Sequence, residues 1–182
     1  METNWRLWNP GSMAAMLRLN VGSGQRPFAK PFINVDVQAK WNPDVVADGA
    51  HMPMFEDGSA DVIVLHHVAE HAGCGEAHPM LVECGRILAP GGSLLVFVPD
   101  MRALAKAWLK GDISTQIYLT NVYGAYMSDE ADRHRWGFTR ETLTETLMYA
   151  HYRDVKPFDW RKIEGADIAG PDFWILALEA IR

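Results

Sequence analysis

From residue 17 onward, short apolar runs alternate with longer polar connections. The runs are Leu17 to Val21, Phe32 to Val35, Val45 to Ala47, Val62 to Leu65 and Leu94 to Val98, each followed by Gly, Asp, His or Pro. Runs this short, mostly apolar and bounded by turn residues, predict strands buried on both faces, as in a parallel sheet. Between the fourth and fifth runs, Met80, Leu81, Cys84, Ile87 and Leu88 recur at spacings of three and four. That spacing predicts a helix over about 76–88, stopped by Ala89-Pro90-Gly91-Gly92. Further helices are predicted over 102–110, about 114–126, and 140–150. The last has Thr139 as N-cap, Glu141 in its first turn, and Leu143, Leu147 and Met148 on one face. Two strand-like runs, 155–160 and 173–181, close the chain. No helix separates them, so they are expected to pair antiparallel.

The length of 182 residues suits one α/β domain over 17–182, preceded by an arm over 1–16 that carries Trp5, Leu7 and Trp8 before an Asn9-Pro10-Gly11-Ser12 turn. A net charge of −6 argues against an extensive nucleic-acid surface. No apolar run is long enough to span a bilayer, and Glu2, Asn4 and Arg6 interrupt any leader-like stretch. Two cysteines, Cys74 and Cys84, then read as reduced thiols, and the expected compartment is the cytoplasm. Oligomeric state is not legible in these patterns.

Candidate chemistry gathers at the ends of the predicted strands. The first run leads into Asn20-Val21-Gly22-Ser23-Gly24, a turn whose backbone can approach a ligand closely. A tight strand-to-loop turn with no ligand has the same pattern. The second run ends at Asp36, placed to accept from both hydroxyls of a ribose or to sit solvated at the strand end. After the third run, Asp48 can accept from an adenine amino group while the backbone at Gly49 reaches a ring nitrogen. Met52, Pro53, Met54 and Phe55 are expected to wall the base. A dinucleotide fingerprint would need Gly at position 27, where the chain has Pro27. Only about eleven residues separate the first two strands, near the minimum for a crossover. A helix able to cradle a pyrophosphate barely fits there, so a phosphate-free nucleoside ligand is favoured.

Five stretches together resemble a known family. Leu17 to Gly24 looks like motif I of the class I S-adenosylmethionine-dependent methyltransferases, and Asp48 to Val62 resembles their adenine-side motif. His67-Val68-Ala69-Glu70-His71 is similar to their segment after strand four, and Glu83 to Leu94 to their Pro-Gly-Gly turn into strand five. His134-Arg135-Trp136-Gly137-Phe138-Thr139 matches a compact subset, the methyltransferase type 11-like proteins. The resemblance covers about residues 17 to 180. It implies a Rossmann-like, seven-stranded, mostly parallel sheet of order 3-2-1-4-5-7-6, strand 7 antiparallel, with helices on both faces. It also implies S-adenosyl-L-methionine as co-substrate, contacted by Asn20, Val21, Gly22, Ser23, Gly24, Asp36, Asp48, Gly49 and His66. The expected activity is methyl transfer to a small-molecule, sugar or lipid-linked acceptor, with His67, His134 and Asp100 as candidate bases. Arg133, Arg135 and Trp136 around His134 suit an anionic or ring-bearing acceptor, although the segment could equally be a solvated loop with one buried Trp. No Asn-Pro-Pro-aromatic or Asp-Pro-Pro-aromatic motif points to amino-group methylation of adenine or glutamine.

Two other readings fit some of these residues. One is a donor-binding scaffold of the same fold that methylates nothing. The other is a zinc hydrolase, because His67-x-x-Glu70-His71 satisfies H-x-x-E-H, with His66, Cys74 and His78 nearby. That motif needs a continuous helix, and Gly73 and Gly75 follow too soon, so no metal is expected and His71 and His78 are read as surface or capping residues.

Overall fold

In a computed structural model, residues 17–125, 130–159, 161, 163 and 172–182 are described. The expected arm over 1–16 lies outside them. Seven strands form one sheet: β1 (Leu17–Val21), β2 (Phe32–Asp36), β3 (Val45–Val46), β4 (Ala60–His66), β5 (Leu88–Pro99), β6 (Arg153–Pro157) and β7 (Ile175–Ile181). Their order is β3-β2-β1-β4-β5-β7-β6, and only β7 runs antiparallel to its neighbours. Strand order therefore reverses between β1 and β4, which opens a crevice at their carboxyl ends.

The helices are α1 (Ala77–Ile87), α2 (Met101–Lys110), α3 (Thr115–Tyr123) and α4 (Arg140–Tyr149). Each starts or stops for a local reason. Asp100 accepts from the Arg102 and Ala103 amides to start α2, and Ser114 accepts from the Ile117 amide to start α3. Thr139 and Thr142 cap α4 reciprocally. The helix expected over 114–126 ends at Tyr123, because Gly124 takes φ 88°, outside helical backbone. Past α1 the chain is extended at once. Leu88 pairs with Ala60 and Ser93 with Val62, so residues 89–92 bulge out opposite Asp61 alone. A Cβ at Gly92 would lie 2.9 Å from the Ala89 carbonyl oxygen, which is why glycine closes the bulge.

Alternation along the strands divides the core. Leu19, Ile63, Leu65, Val96 and Leu178 join α1 and α4 through Leu81, Ile87, Leu143 and Leu147. The opposite face carries Val64, Leu95, Phe97 and Ala177, covered by Phe28 and Phe32 and by Phe158. Helices α2 and α3 reach that side only at its edge, through a cluster of Leu104, Ala107, Ile113 and Trp174 that shares Ile175 with it.

No helix links β1 to β2; residues 22–31 pass over as a loop. Buried amides hold that loop in place of helical packing. The Asn20 side-chain amide donates to Asn34 Oδ1 at 2.9 Å, which also accepts from the Phe28 amide at 2.8 Å. Asn34 Nδ2 returns a bond to the Phe28 carbonyl at 3.0 Å. The loop thus seats Phe28 on the second core face.

Residues 48–58 are fixed to α1 by one guanidinium. Arg86 grips both oxygens of Glu83 at 2.8 Å, reaches Asp57 at 2.6 Å, and donates to the Phe55 and Met52 carbonyls. Glu83 also accepts from the Met52 amide at 2.7 Å. Arg86→Ala is expected to cost about 2–4 kcal/mol, since it leaves a half-buried carboxylate and two carbonyls unmet. Urea unfolding measures the loss, and Arg86→Lys, which keeps the charge without the planar fork, should recover only part of it.

Candidate functional site

The crevice at the ends of β1, β2 and β4 is a cavity of about 870 Å³, within the range of small-ligand sites. Its near wall is the glycine turn. The Gly22 and Ser23 amides donate to the Val35 carbonyl at 2.7 and 3.1 Å, so the turn is bound to β2 and cannot act as a loose anion nest. Gly22 holds φ 74°, and a Cβ there would come within 2.4 Å of Val68 Cγ2. Any larger residue would force apart the two loops that border the cavity. Gly24 faces open space, and its amide donates to Asp36 at 2.7 Å. The other Asp36 oxygen accepts from the Gln38 amide at 2.8 Å, which leaves each oxygen one further lone pair.

Val21, Gly22, Ser23, Gly24 and Asp36 all border the cavity, as do Asp48, Gly49, His66, His67 and His134. Two expected site residues do not. The pleat turns Asn20 to the opposite face of the sheet, where it serves the Asn34 network. Asp100 is occupied in capping α2 and bridges Phe138 instead of facing the crevice. The expected apolar wall also differs. Met52 and Phe55 are buried in the main core and Met54 is half exposed at the surface. Val37, Trp41 and Met80 border the cavity in their place. Trp41 sits just past Asp36 in a polar connection, and a lone tryptophan there is the sequence signal that was available.

Beyond β4 the chain makes a sharp turn. His67 takes φ 55° and donates its amide to the Phe97 carbonyl at 3.0 Å. Residues Ala69–His71 form a single 3-10 turn, not the helix a zinc-hydrolase motif requires. The His67 Nδ1 lies 2.8 Å from an oxygen of Glu70, whose side chain is 1% exposed. Burial pulls His67 down, but the charge and hydrogen bond of Glu70 outweigh it and hold its pKa above the usual imidazole value. Burial likewise pushes Glu70 up, and His67, with His71 and His134 behind it, pulls it below the ordinary carboxylate range. An ionised Glu70 therefore fixes the proton on Nδ1 and turns Nε2 of His67 outward.

The Glu70 carbonyl accepts from the Arg135 and Trp136 amides at 2.8 and 3.1 Å, which draws segment 133–138 across the crevice. His71, read from sequence as a surface or capping residue, instead borders the cavity, its ring 4.9 Å from that of His134. His78 borders a second cavity of about 530 Å³, together with Trp136, Glu145 and Tyr149. Burial lowers His134. Two buried polar atoms beside the main cavity, Ser23 Oγ and His66 Nε2, find no partner among the described residues. Orphan polar groups at a glycine cradle suit a polar ligand such as a nucleoside.

His66 lies between Phe28 and Phe97, and burial followed by the like charge of His67 depresses its pKa to about 4. A depressed histidine contributes stability that is full above its unfolded pKa of about 6.5 and is lost as pH falls toward the folded value. Between about pH 7.5 and about pH 5 the loss from this one group is about 2 kcal/mol. His66→Phe should flatten the acid limb of a urea-unfolding series by that amount; an unchanged limb would refute the assignment.

Residues 19–96 match the family model of the methyltransferase domain, Methyltransf_11. No curated protein sequence matches the chain. Among solved structures, a SAM-dependent methyltransferase from Archaeoglobus fulgidus superposes with a TM-score of 0.58 at 16% identity, over 93% of this chain and 87% of the other. A SAM-dependent methyltransferase from Methanosarcina mazei gives 0.58 at 14% identity, over 94% of each chain. The 1,6-didemethyltoxoflavin-N1-methyltransferase of Burkholderia thailandensis, solved with S-adenosylhomocysteine, gives 0.53 at 16% identity, over 91% of this chain and 70% of the other. The methyltransferase-domain match over 19–96 and the shared fold of these solved structures coincide with a sheet whose strand order reverses beside a glycine turn and Asp36.

Proposed function

We propose that the chain transfers the methyl group to an oxygen or nitrogen of a small-molecule, sugar or lipid-linked acceptor, with His67 as the base. The observation that carries this reading is the His67–Glu70 pair, which borders the same cavity as the glycine turn. When bound, the donor supplies an electrophilic methyl group on a sulfonium. The Asp36 oxygens hold a ribose, and the orphan Ser23 hydroxyl and His66 nitrogen meet polar groups of the same ligand. Asp48 and Gly49 border the end of the cavity assigned to the base, with Trp41 as its apolar neighbour. His67 Nε2 takes the acceptor proton as the acceptor lone pair attacks, and Glu70 positions the ring. Transfer of this kind depends mainly on alignment, to which the base adds about 10²–10⁴-fold.

Trp136 and Tyr149 at the second cavity, with Arg135 at the first, favour a ring-bearing or anionic acceptor. The solved N1-methyltransferase of the same fold holds 1,6-didemethyltoxoflavin, which supports a small-molecule acceptor. His134 is held by its bond to the Asn121 carbonyl at 2.8 Å and serves the acceptor side. No described helix is long and apolar enough to cross a membrane. The unlinked Cys74 and Cys84 suit a reducing compartment, and we place the enzyme in the cytoplasm.

Calorimetry with S-adenosylmethionine should show one site, and release of S-adenosylhomocysteine against pools of small acceptors should identify the acceptor. Absence of donor binding would favour a scaffold. With the acceptor in hand, His67→Ala should lower turnover by about 10²–10⁴-fold with little change in donor affinity. Because His67 is raised, turnover should climb with pH through a midpoint above about 6.5, and Glu70→Gln should move that midpoint down. A midpoint unmoved by Glu70→Gln would remove the pair from the reaction.

A further inference from the structure

We propose that Glu70, His71 and His134 form a binding site for a divalent transition-metal ion of the zinc class, set into the wall of the donor cavity. The three residues each offer a ligand atom, and these atoms lie within 4.8 Å of one another. Zinc ligands at about 2.0–2.2 Å in tetrahedral array are roughly 3.4 Å apart, so at most about 1.5 Å of closure is needed. His71 and His134 border the cavity and Glu70 stands behind them.

The hydrogen bonding around the cluster prepares each ligand. His71 Nδ1 lies 3.2 Å from the Arg133 carbonyl, and His134 Nδ1 lies 2.8 Å from the Asn121 carbonyl. A carbonyl only accepts, so in the neutral imidazole both rings carry their proton on Nδ1 and leave Nε2 as the ligating nitrogen. Metal-binding histidines are oriented in this way, their second nitrogen donating to a backbone carbonyl or a carboxylate. Glu70 supplies the third ligand. Its Oε1 is paired with His67 Nδ1, whereas Oε2 is buried with no partner among the described residues. A carboxylate oxygen left unmet at 1% side-chain exposure is costly, and a cation ligated there removes the cost.

Two imidazoles and one carboxylate are the donor set of open zinc and iron(II) sites, which keep coordination positions for a further ligand. Here His71, His134 and His67 border one cavity, where an acceptor hydroxyl ligated to the ion would be acidified and pass its proton to His67. The arrangement is not the H-x-x-E-H pattern. His67 is committed to Glu70, and the third ligand, His134, comes from a segment 63 residues beyond His71. Ion binding by these residues does not depend on methyl transfer.

The test is titration of the chelator-treated full chain with Co²⁺, read by its visible absorption, alongside the zinc content of the protein after dialysis against Zn²⁺. One ion per chain is expected, with a melting temperature that rises as metal is added. His71→Ala and His134→Ala should each weaken binding at least tenfold, and Glu70→Gln, which keeps the side-chain shape, should do the same while circular dichroism stays native. No saturable Co²⁺ binding by the wild-type chain, or binding retained in the His71→Ala/His134→Ala double variant, would overturn the site.

Discussion

The buried carboxylate of Glu70 is the group around which the crevice is organised. One oxygen fixes the tautomer of His67, and the backbone carbonyl of the same residue receives two amides from the 133–138 segment. Strand β4 is thereby tied to a stretch more than sixty residues later, and that stretch passes on to Phe138, which bridges Asp100 at the end of β5. A charge this deep is tolerated only because neighbouring groups meet it, and those neighbours become positioned in return. The positive φ of His67, costing on the order of 1 kcal/mol, persists because the Phe97 carbonyl and Glu70 hold the residue from both sides. Strain, charge and hydrogen bonding thus meet at one residue on the cavity wall.

The glycine-turn side uses a different economy of means. With no helix between β1 and β2, the glycine turn is anchored to the Val35 carbonyl, and the Asn20–Asn34 pair seats the loop. Arg86 does the corresponding work for residues 48–58. Both walls of the cavity are thus loops made rigid by a few buried polar bonds, each of which matters more than its number suggests.

How much of this was legible in the chain follows from the range of the forces involved. The strands at Leu17, Phe32 and Val62 and the helix at Met80 through Ile87 announce themselves by apolar periodicity, because core burial is repeated at every turn or pleat. The cap at Thr139 is equally local. Glycines and Asp36 at strand ends could be placed because topology alone brings strand ends together. Asn20 and Asp100 misled for a common reason: both side chains satisfy nearby backbone or amide groups, and short-range hydrogen bonding leaves no mark in spacing. Met52 and Phe55 were read as a ligand wall because an apolar loop residue facing a ligand and one facing the core share a composition. The meeting of Glu70, His71 and His134 could not be foreseen from H-x-x-E-H, since it depends on how segment 133–138 is carried back over the sheet.

The sheet's two margins have a consequence for how copies of the chain can meet. On one side β3 is only Val45–Val46, preceded by Asn42-Pro43-Asp44. On the other, the pairing of β6 with β7 shifts register between Arg153 and Lys156, and Asp154 adopts φ 51°. A short strand at one border and a charged, irregular one at the other give an incoming strand no run of amides and carbonyls to match. Among the described residues, both borders therefore disfavour edge-to-edge stacking into continuous sheets.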